Sequence, residues 1–119
     1  LNNLKKANDT HGHSVGDQLI LNFARLLRNA VPSNDFVGRY GGDEFIAVMY
    51  NTTKDEVTDM LRQLDKEISE FNELGKAFKI SYAHGCAFSS DYENCTLRTL
   101  FDKADKNMYN NKQAEKAGR

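Results

Sequence analysis

The stretch that decides the fold is GRYGGDEFIAVMY, residues 38–50, in which two adjacent glycines, Gly41 and Gly42, precede two adjacent acids, Asp43 and Glu44. Apolar runs rich in aromatic and branched residues flank these four residues, which predicts a β-hairpin with the tetrapeptide as its turn. Turn chemistry alone needs only one glycine and one Asp or Asn. A second glycine lets a ligand approach the backbone closely, and two like charges repel each other unless a cation lies near them. The pattern therefore fits either a solvated glycine-rich turn or a site for a divalent metal and a phosphate.

The segments before and after the hairpin have helical periodicity. An apolar face from Leu19 to Ala30 predicts a helix with Ser14 as its N-cap, and Pro32 separates that helix from the hairpin. Thr53 and Glu56 form a capping box ahead of a second apolar face, which predicts a second helix.

The last third of the chain reads as a strand and a helix. Alternation of apolar and polar residues over 78–88 predicts a strand, and an apolar stripe from Leu97 to Tyr109 predicts a third helix capped by Thr96. The order helix, hairpin, helix, strand, helix predicts an α+β fold in which an antiparallel sheet carries the helices. In a split βαβ arrangement a further strand precedes the first helix, so we expect that strand to lie just before Leu1.

Composition limits the functional classes. A chain of 119 residues with 39% hydrophobic and 28% charged residues suits one folded domain. A formal charge of -1 and a pI near 6.3 provide no basic field for nucleic acid or an anionic membrane. No apolar run is long enough to insert into a bilayer or to act as a signal peptide. Cys86 and Cys95 show no metal-ligand spacing, which favours reduced thiols and a cytoplasmic location.

Three motifs, in this order, resemble those of the GGDEF family of diguanylate cyclases. They are LNNLKKANDTHGHSVGD at residues 1–17, with its GHxxGD ending, RYGGDEF at 39–45 and DKADKNMYNNK at 102–112. The resemblance covers residues 1–119, interpreted as one N-terminally incomplete GGDEF domain. It implies a fold related to nucleotidyl cyclases and polymerase palms, with a central antiparallel sheet surrounded by helices, the hairpin at the active site, and the first strand missing from this chain.

The resemblance also implies a reaction and its partners. Two GTP molecules are joined into cyclic di-GMP with release of two pyrophosphates, as a step of bacterial second-messenger signalling. Each domain binds one GTP, so two domains face each other as an antiparallel homodimer. Mg²⁺ or Mn²⁺ is the implied cofactor, and a covalently linked sensor or regulatory domain is expected upstream. The expected location is the cytoplasm, either as a domain of a cytoplasmic protein or as the cytoplasmic domain of a larger, membrane-anchored one.

The family's catalytic and metal-binding positions fall on the hairpin and on the start of the chain. The resemblance makes Asp43 a metal ligand and Glu44 a metal ligand that assists deprotonation of the attacking hydroxyl. It gives Leu1 a metal-binding carbonyl and places a further metal-binding Asp immediately before Leu1. Gly41 and Gly42 allow the nucleotide to lie against the hairpin backbone.

The family's guanine-reading pair falls on Asn8 and Asp17, an amide and a carboxylate that suit the edge of guanine. Asp17 has a second interpretation, because Ser14-x-x-Asp17 also reads as a helix capping box. The resemblance implies phosphate contacts from the backbone amides of Asn3 and Leu4. It also implies contacts from the side chains of Lys5, Lys112 and Lys116, with Arg119 as an alternative to Lys116.

The sequence leaves two alternatives to an active cyclase. One is a GTP or cyclic di-GMP sensor that has lost turnover, and the other is a dimerisation domain without a nucleotide site. The residue before Leu1 would discriminate between the cyclase and the sensor, since an Asp there supports catalysis.

Many family members bind their product at an Arg-x-x-Asp motif ahead of the hairpin. Spacing places the Asp at Asp35 and the Arg at Pro32, which has no donor or charge. The sequence therefore predicts that this inhibitory site is missing, unless Arg28 or Arg39 compensates from nearby.

Overall fold

The computed structural model of the chain describes residues 1, 2, 4, 8, 9, 12–74 and 79–117, without the side chains of 13 and 114–117. It contains helix α1 (His13–Ala30), strands β1 (Phe36–Arg39) and β2 (Phe45–Val48), helix α2 (Lys54–Glu73), a 3₁₀ turn (Ser89–Asp91) and helix α3 (Leu97–Ala117). The chain divides into two compact units, Leu1–Ser81 and Tyr82–Arg119. Helices combined with a small antiparallel sheet confirm the predicted α+β class.

The predicted hairpin is confirmed. β1 and β2 pair in antiparallel register from Phe36 opposite Val48 to Arg39 opposite Phe45, and they are the only strands of a sheet among the described residues. Pro32 lies between the end of α1 and the start of β1, as predicted.

Two of the three predicted helix starts are confirmed. Thr53 accepts a hydrogen bond from the Glu56 backbone N–H at 3.1 Å, and Glu56 accepts in return from the Thr53 N–H at 3.2 Å, which completes the capping box of α2. Thr96 caps α3 by accepting from the Thr99 N–H at 3.1 Å. In both cases the capping partner is only three residues away, so the local sequence is sufficient to define the helix start.

Ser14 is the wrong cap for α1. The N-cap is Gly12, whose φ of 89° is a left-handed conformation that glycine adopts without steric cost. The Gly12 N–H donates to the Asn8 carbonyl oxygen at 2.8 Å, and the Gly12 carbonyl oxygen accepts from Val15 at 3.3 Å. The chain upstream thus turns into the helix at Gly12, and Ser14 already lies inside the helix.

The predicted strand over 78–88 is also wrong for the described residues 79–88, which form no regular ladder. Phe78 lies outside the described residues. A strand is stabilised by repeated backbone hydrogen bonds to a neighbouring strand. The neighbouring backbone here provides a hydrogen bond from the Asn2 N–H to the Ser81 carbonyl oxygen at 2.7 Å. The Asn72 side chain occupies the next position, because its amide both accepts from the Ile80 N–H at 2.8 Å and donates to the Ile80 carbonyl at 2.9 Å.

The buried apolar residues of the described chain lie in the first unit. α1 and α2 pack against each other, and the Phe23 ring of α1 meets the Phe45 ring of β2 edge-on with centroids 5.0 Å apart. The core thereby holds the hairpin against α1 and fixes where its turn lies. Its members are Leu1, Leu19, Phe23, Leu27, Val31, Val57, Leu64, Ile68 and Ile80.

In the second unit, the backbone at Gly85 lies directly against α3. Asn107 on that helix donates to the Cys86 carbonyl oxygen at 2.9 Å. Cys86 and Cys95 are free thiols, and burial raises the pKa of the Cys86 thiol, so that this thiol is mostly protonated at neutral pH. Across the described helices, none has the length and apolar character needed to cross a membrane.

Candidate active site

The turn of the hairpin is closed by backbone hydrogen bonds between its two ends. The Tyr40 N–H donates to the Glu44 carbonyl oxygen at 2.9 Å, and the Gly41 N–H approaches the same oxygen at 3.4 Å. Asp43 is exposed and Glu44 is half-buried. Two adjacent carboxylates are therefore held at the tip of a closed turn.

Arg39 adds a second constraint to this turn. Its Nε donates to the Gly41 carbonyl oxygen at 3.0 Å and its Nη2 donates to the Gly42 carbonyl oxygen at 2.9 Å. A planar guanidinium presents two N–H donors in a fixed geometry that matches two adjacent carbonyls, whereas the donors of an ammonium rotate about one nitrogen. Within a trans peptide the N–H points opposite to the carbonyl, so the N–H groups of Gly42 and Asp43 face away from Arg39. This contact is not among those expected from the sequence, although an arginine two residues before a Gly-Gly turn is a signal for it.

The two glycines of the turn leave open space. Neither Gly41 nor Gly42 has a left-handed φ, and a β-carbon on either would meet nothing within 4 Å. The backbone conformation and the packing of the chain therefore do not require glycine at these positions. Space left at the backbone beside two acids is what an approaching ligand would use.

Leu1 lies beside the acidic turn. Its backbone nitrogen donates to the Asp43 carbonyl oxygen at 2.9 Å. On the other side, Asn2 is joined to Ser81 through its backbone N–H and through a side-chain contact from Nδ2 to the serine Oγ at 3.1 Å. The structure thus brings together the three residues expected to hold metal, Leu1, Asp43 and Glu44.

The donors at this turn fit a hard divalent cation. Within the described ranges, no three His, Cys, Asp or Glu side chains form a metal-binding group. Mg²⁺ is commonly bound by one or two carboxylates, with water and substrate phosphates completing the coordination. Asp43 and Glu44 supply two such carboxylates, so the residues present suit an ion that arrives together with a nucleotide.

Asp17 lies on the first turns of α1 and faces a cleft between this helix and the hairpin. The cleft has a volume of about 500 Å³ and is also lined by Ile20, Arg39 and Phe45. Asp17 is exposed and lies well inside the helix that begins after Gly12, so it is not the acid of a capping box at Ser14. A carboxylate at one end of an open cleft remains available to a ligand.

Asn8 is fixed next to the start of α1. Its carbonyl oxygen accepts from Gly12, and its side-chain oxygen Oδ1 is buried without a hydrogen-bond partner among the described residues. That oxygen lies over Gly16, the residue directly before Asp17.

The other expected phosphate ligands are divided between the two units or fall outside the described part. Leu4 is half-buried in the first unit, and Lys112 is half-buried on α3 of the second. Lys116 lies on α3 with its side chain outside the described part of the chain, and Asn3, Lys5 and Arg119 lie outside it entirely.

Arg28 in the last turn of α1 and Asp35 just before β1 both hydrogen-bond to the protein backbone. Arg28 donates to the carbonyl oxygens of Asp35 at 2.9 Å and Val31 at 3.2 Å, and it also contacts the Pro32 carbonyl. The Asp35 carboxylate accepts from the Tyr50 N–H at 3.2 Å. Arg28 therefore holds the backbone that follows α1.

The family follows from a match to a model described as diguanylate cyclase, GGDEF domain, over residues 1–118. The chain belongs to the GGDEF domain family. A crystal structure of a sensory box/GGDEF family protein from Caulobacter crescentus superposes with a TM-score of 0.72 at 30% identity, covering 96% of this chain and 74% of that one.

Curated relatives of this GGDEF chain include named diguanylate cyclases. It is 30% identical over 119 residues to diguanylate cyclase DgcS of Shewanella oneidensis, covering 100% of this chain and 38% of that protein. It is 28% identical over 111 residues to diguanylate cyclase A of Treponema denticola, covering 92% of this chain and 30% of the relative. It is 38% identical over 126 residues to signaling protein YkoW of Bacillus subtilis, covering 98% of this chain and 15% of that protein. The GGDEF chain therefore spans between 15% and 38% of the length of these relatives.

Proposed function

We propose that this domain condenses two GTP molecules into cyclic di-GMP. The observation that supports this most is the open Gly41-Gly42 turn, which holds Asp43 and Glu44 next to Leu1 in a chain of the GGDEF family. The 3′-hydroxyl oxygen of one GTP forms a bond to the α-phosphorus of the other, whose bond to the β-phosphate oxygen breaks and releases pyrophosphate. The same exchange in the opposite direction closes the ring and releases the second pyrophosphate.

The residues of the domain have separate roles in this proposal. Mg²⁺ or Mn²⁺ bound with the nucleotide would neutralise charge on the reacting phosphate. Asp43 and Glu44 would hold that ion, and Glu44 would also accept the proton of the attacking hydroxyl. Asn8 and Asp17 read the guanine base, while Leu4, Asn3, Lys5 and the lysines of α3 hold the phosphates. One domain positions one GTP, so the reaction needs two domains in an antiparallel homodimer.

The setting proposed for this chemistry is a cytoplasmic domain linked to a sensor. The relatives are several times longer than this chain, and the similar Caulobacter crescentus protein is described as a sensory box/GGDEF protein.

The test is product formation by the full-length protein. Incubation with GTP and Mg²⁺ should yield cyclic di-GMP and pyrophosphate in a ratio of one to two, measured by mass spectrometry and a pyrophosphate assay. A second candidate function is binding of GTP or cyclic di-GMP without turnover, as in a sensor module of the same family. Binding of GTP with no product would support the sensor and contradict the cyclase.

Removal of the base-reading pair should weaken and broaden nucleotide binding. The double variant Asn8→Ala with Asp17→Ala is expected to lower the preference for GTP over ATP by roughly a hundredfold, since each lost hydrogen-bonding group contributes about tenfold. Competitive binding of the two nucleotides measures the effect. Gln18→Ala, an exposed change on the same helix, serves as the control. An unchanged preference for GTP in the double variant would contradict the assignment.

Product inhibition is expected to be absent. Pro32 offers no guanidinium, Arg28 binds backbone carbonyls, and the Asp35 carboxylate already accepts from Tyr50. Progress curves with micromolar cyclic di-GMP should therefore match those without it. The variant Pro32→Arg, which restores an Arg-x-x-Asp spacing, is expected to introduce inhibition. Strong noncompetitive inhibition of the parent protein would show that the product has another binding site.

A further inference from the structure

Asn8 and Gly16 are packed so closely that a β-carbon at position 16 would overlap the Asn8 side chain where it now lies. A β-carbon built on Gly16 would lie 1.7 Å from Oδ1, 2.6 Å from Cγ and 3.0 Å from Nδ2 of Asn8. Real carbon and oxygen atoms that are not bonded do not approach to 1.7 Å, so a methyl group at this position would displace the Asn8 amide.

Helix geometry gives no other reason for glycine here. Gly16 is buried inside α1 and its φ is not left-handed, so any residue could adopt its backbone conformation. Glycine is among the least favourable residues in the interior of a helix. The missing β-carbon therefore has a packing role, and its close neighbour is the side chain of Asn8.

The position of the Asn8 amide depends on this packing. The Asn8 backbone is held by the hydrogen bond from Gly12, whereas Oδ1 has no partner among the described residues. A side chain that is located by contact, without a hydrogen bond to lock it, moves when the contact surface changes. Because the atoms that clash are at the end of that side chain, the displacement should cost the fold little.

We propose that Gly16 is a positioning residue for base recognition. Because Gly16 has no β-carbon, the Asn8 amide can pack against the helix there, and this packing places the amide for contact with guanine. The inference rests on the proposed role of Asn8 in reading the base. It assigns Gly16 no contact with the nucleotide, so its effect passes entirely through Asn8.

The test measures binding of 3′-deoxy-GTP and 3′-deoxy-ATP to the full-length protein with Mg²⁺, since neither analogue carries the attacking hydroxyl. Gly16→Ala is expected to reduce the guanine preference about tenfold, the effect of one misplaced hydrogen bond. Its melting temperature should equal or exceed that of the parent, because alanine favours helix. Ser14→Ala, on the same helix, should leave the preference unchanged.

A double-mutant cycle separates positioning from a general effect on the helix. In an Asn8→Ala background the clashing atoms are gone, so Gly16→Ala should cause no further loss of guanine preference. A full additional loss in that background, an unchanged preference in the single variant, or a large fall in its melting temperature would each overturn the proposal. A parent protein without guanine preference would instead overturn the proposed base recognition, and this inference with it.

Discussion

Asp43→Asn is expected to abolish cyclic di-GMP formation while leaving the fold intact. The substitution keeps the shape of the side chain and removes one of the two carboxylates at the turn. Loss of preorganised charge at a reacting phosphate lowers turnover by at least about a hundredfold. Asp43 is exposed and its backbone carbonyl, which holds Leu1, is unchanged, so the free energy of unfolding should change by no more than about 0.5 kcal/mol.

The measurement pairs the rate of product formation with thermal unfolding. Asp59→Asn on α2 is the matched control, since it makes the same chemical change at an exposed ion pair with Arg62 at 3.7 Å, a contact of little energetic weight. A cyclase that retains its rate in Asp43→Asn would contradict the metal assignment. Loss of rate in both variants would indicate that the assay reports a general loss of charge.

Elements defined by neighbouring residues could be predicted from the sequence. The hairpin follows from two apolar runs around Gly-Gly-Asp-Glu, and the starts of α2 and α3 follow from Thr53 and Thr96, whose capping partners lie three residues along the chain. In these cases the interaction that fixes the structure is local, so the pattern contains it.

Elements that depend on backbone conformation or on distant partners could not be predicted. Ser14 is a good capping residue by type, but the N-cap of α1 is Gly12, whose left-handed φ the residue type permits without requiring it. Residues 79–88 alternate like a strand, but a strand also requires a partner, and the described residues supply only short contacts from Asn2 and Asn72. Periodicity reports which face is apolar and does not report what lies beside it.

The same distinction applies to the candidate site. Asp43 and Glu44 are evident from the charge pattern of the turn, and Asn8 and Asp17 required the family resemblance. Two further features are contacts between particular atoms. The Arg39 guanidinium donates to the carbonyl oxygens of Gly41 and Gly42, and the Asn8 amide packs against Gly16. They depend on side-chain directions that residue types alone do not specify.

Gly85→Ala is expected to produce a large loss of stability. A β-carbon on Gly85 would lie 2.1 Å from the backbone nitrogen of Met108, 2.2 Å from the carbonyl oxygen of Ala104 and 2.7 Å from the carbonyl carbon of Asn107. All three atoms belong to the backbone of α3, so no side chain can rotate away to make room. Either the helix or the segment before it must shift, which also strains the hydrogen bond from Asn107 to the Cys86 carbonyl. Overpacking of this kind costs about 3 kcal/mol.

Gly42→Ala supplies the matched comparison for this prediction, because the same methyl group enters open space there. Thermal unfolding should show a fall of roughly 10 °C for Gly85→Ala and little change for Gly42→Ala. Hydrogen exchange should rise in peptides from residues 82–88 and 97–113 of the Gly85 variant, because the close packing of the two segments is what slows their opening. Equal melting temperatures for the two variants would mean that α3 accommodates the methyl group, and that the close approach at Gly85 does not hold the helix in place.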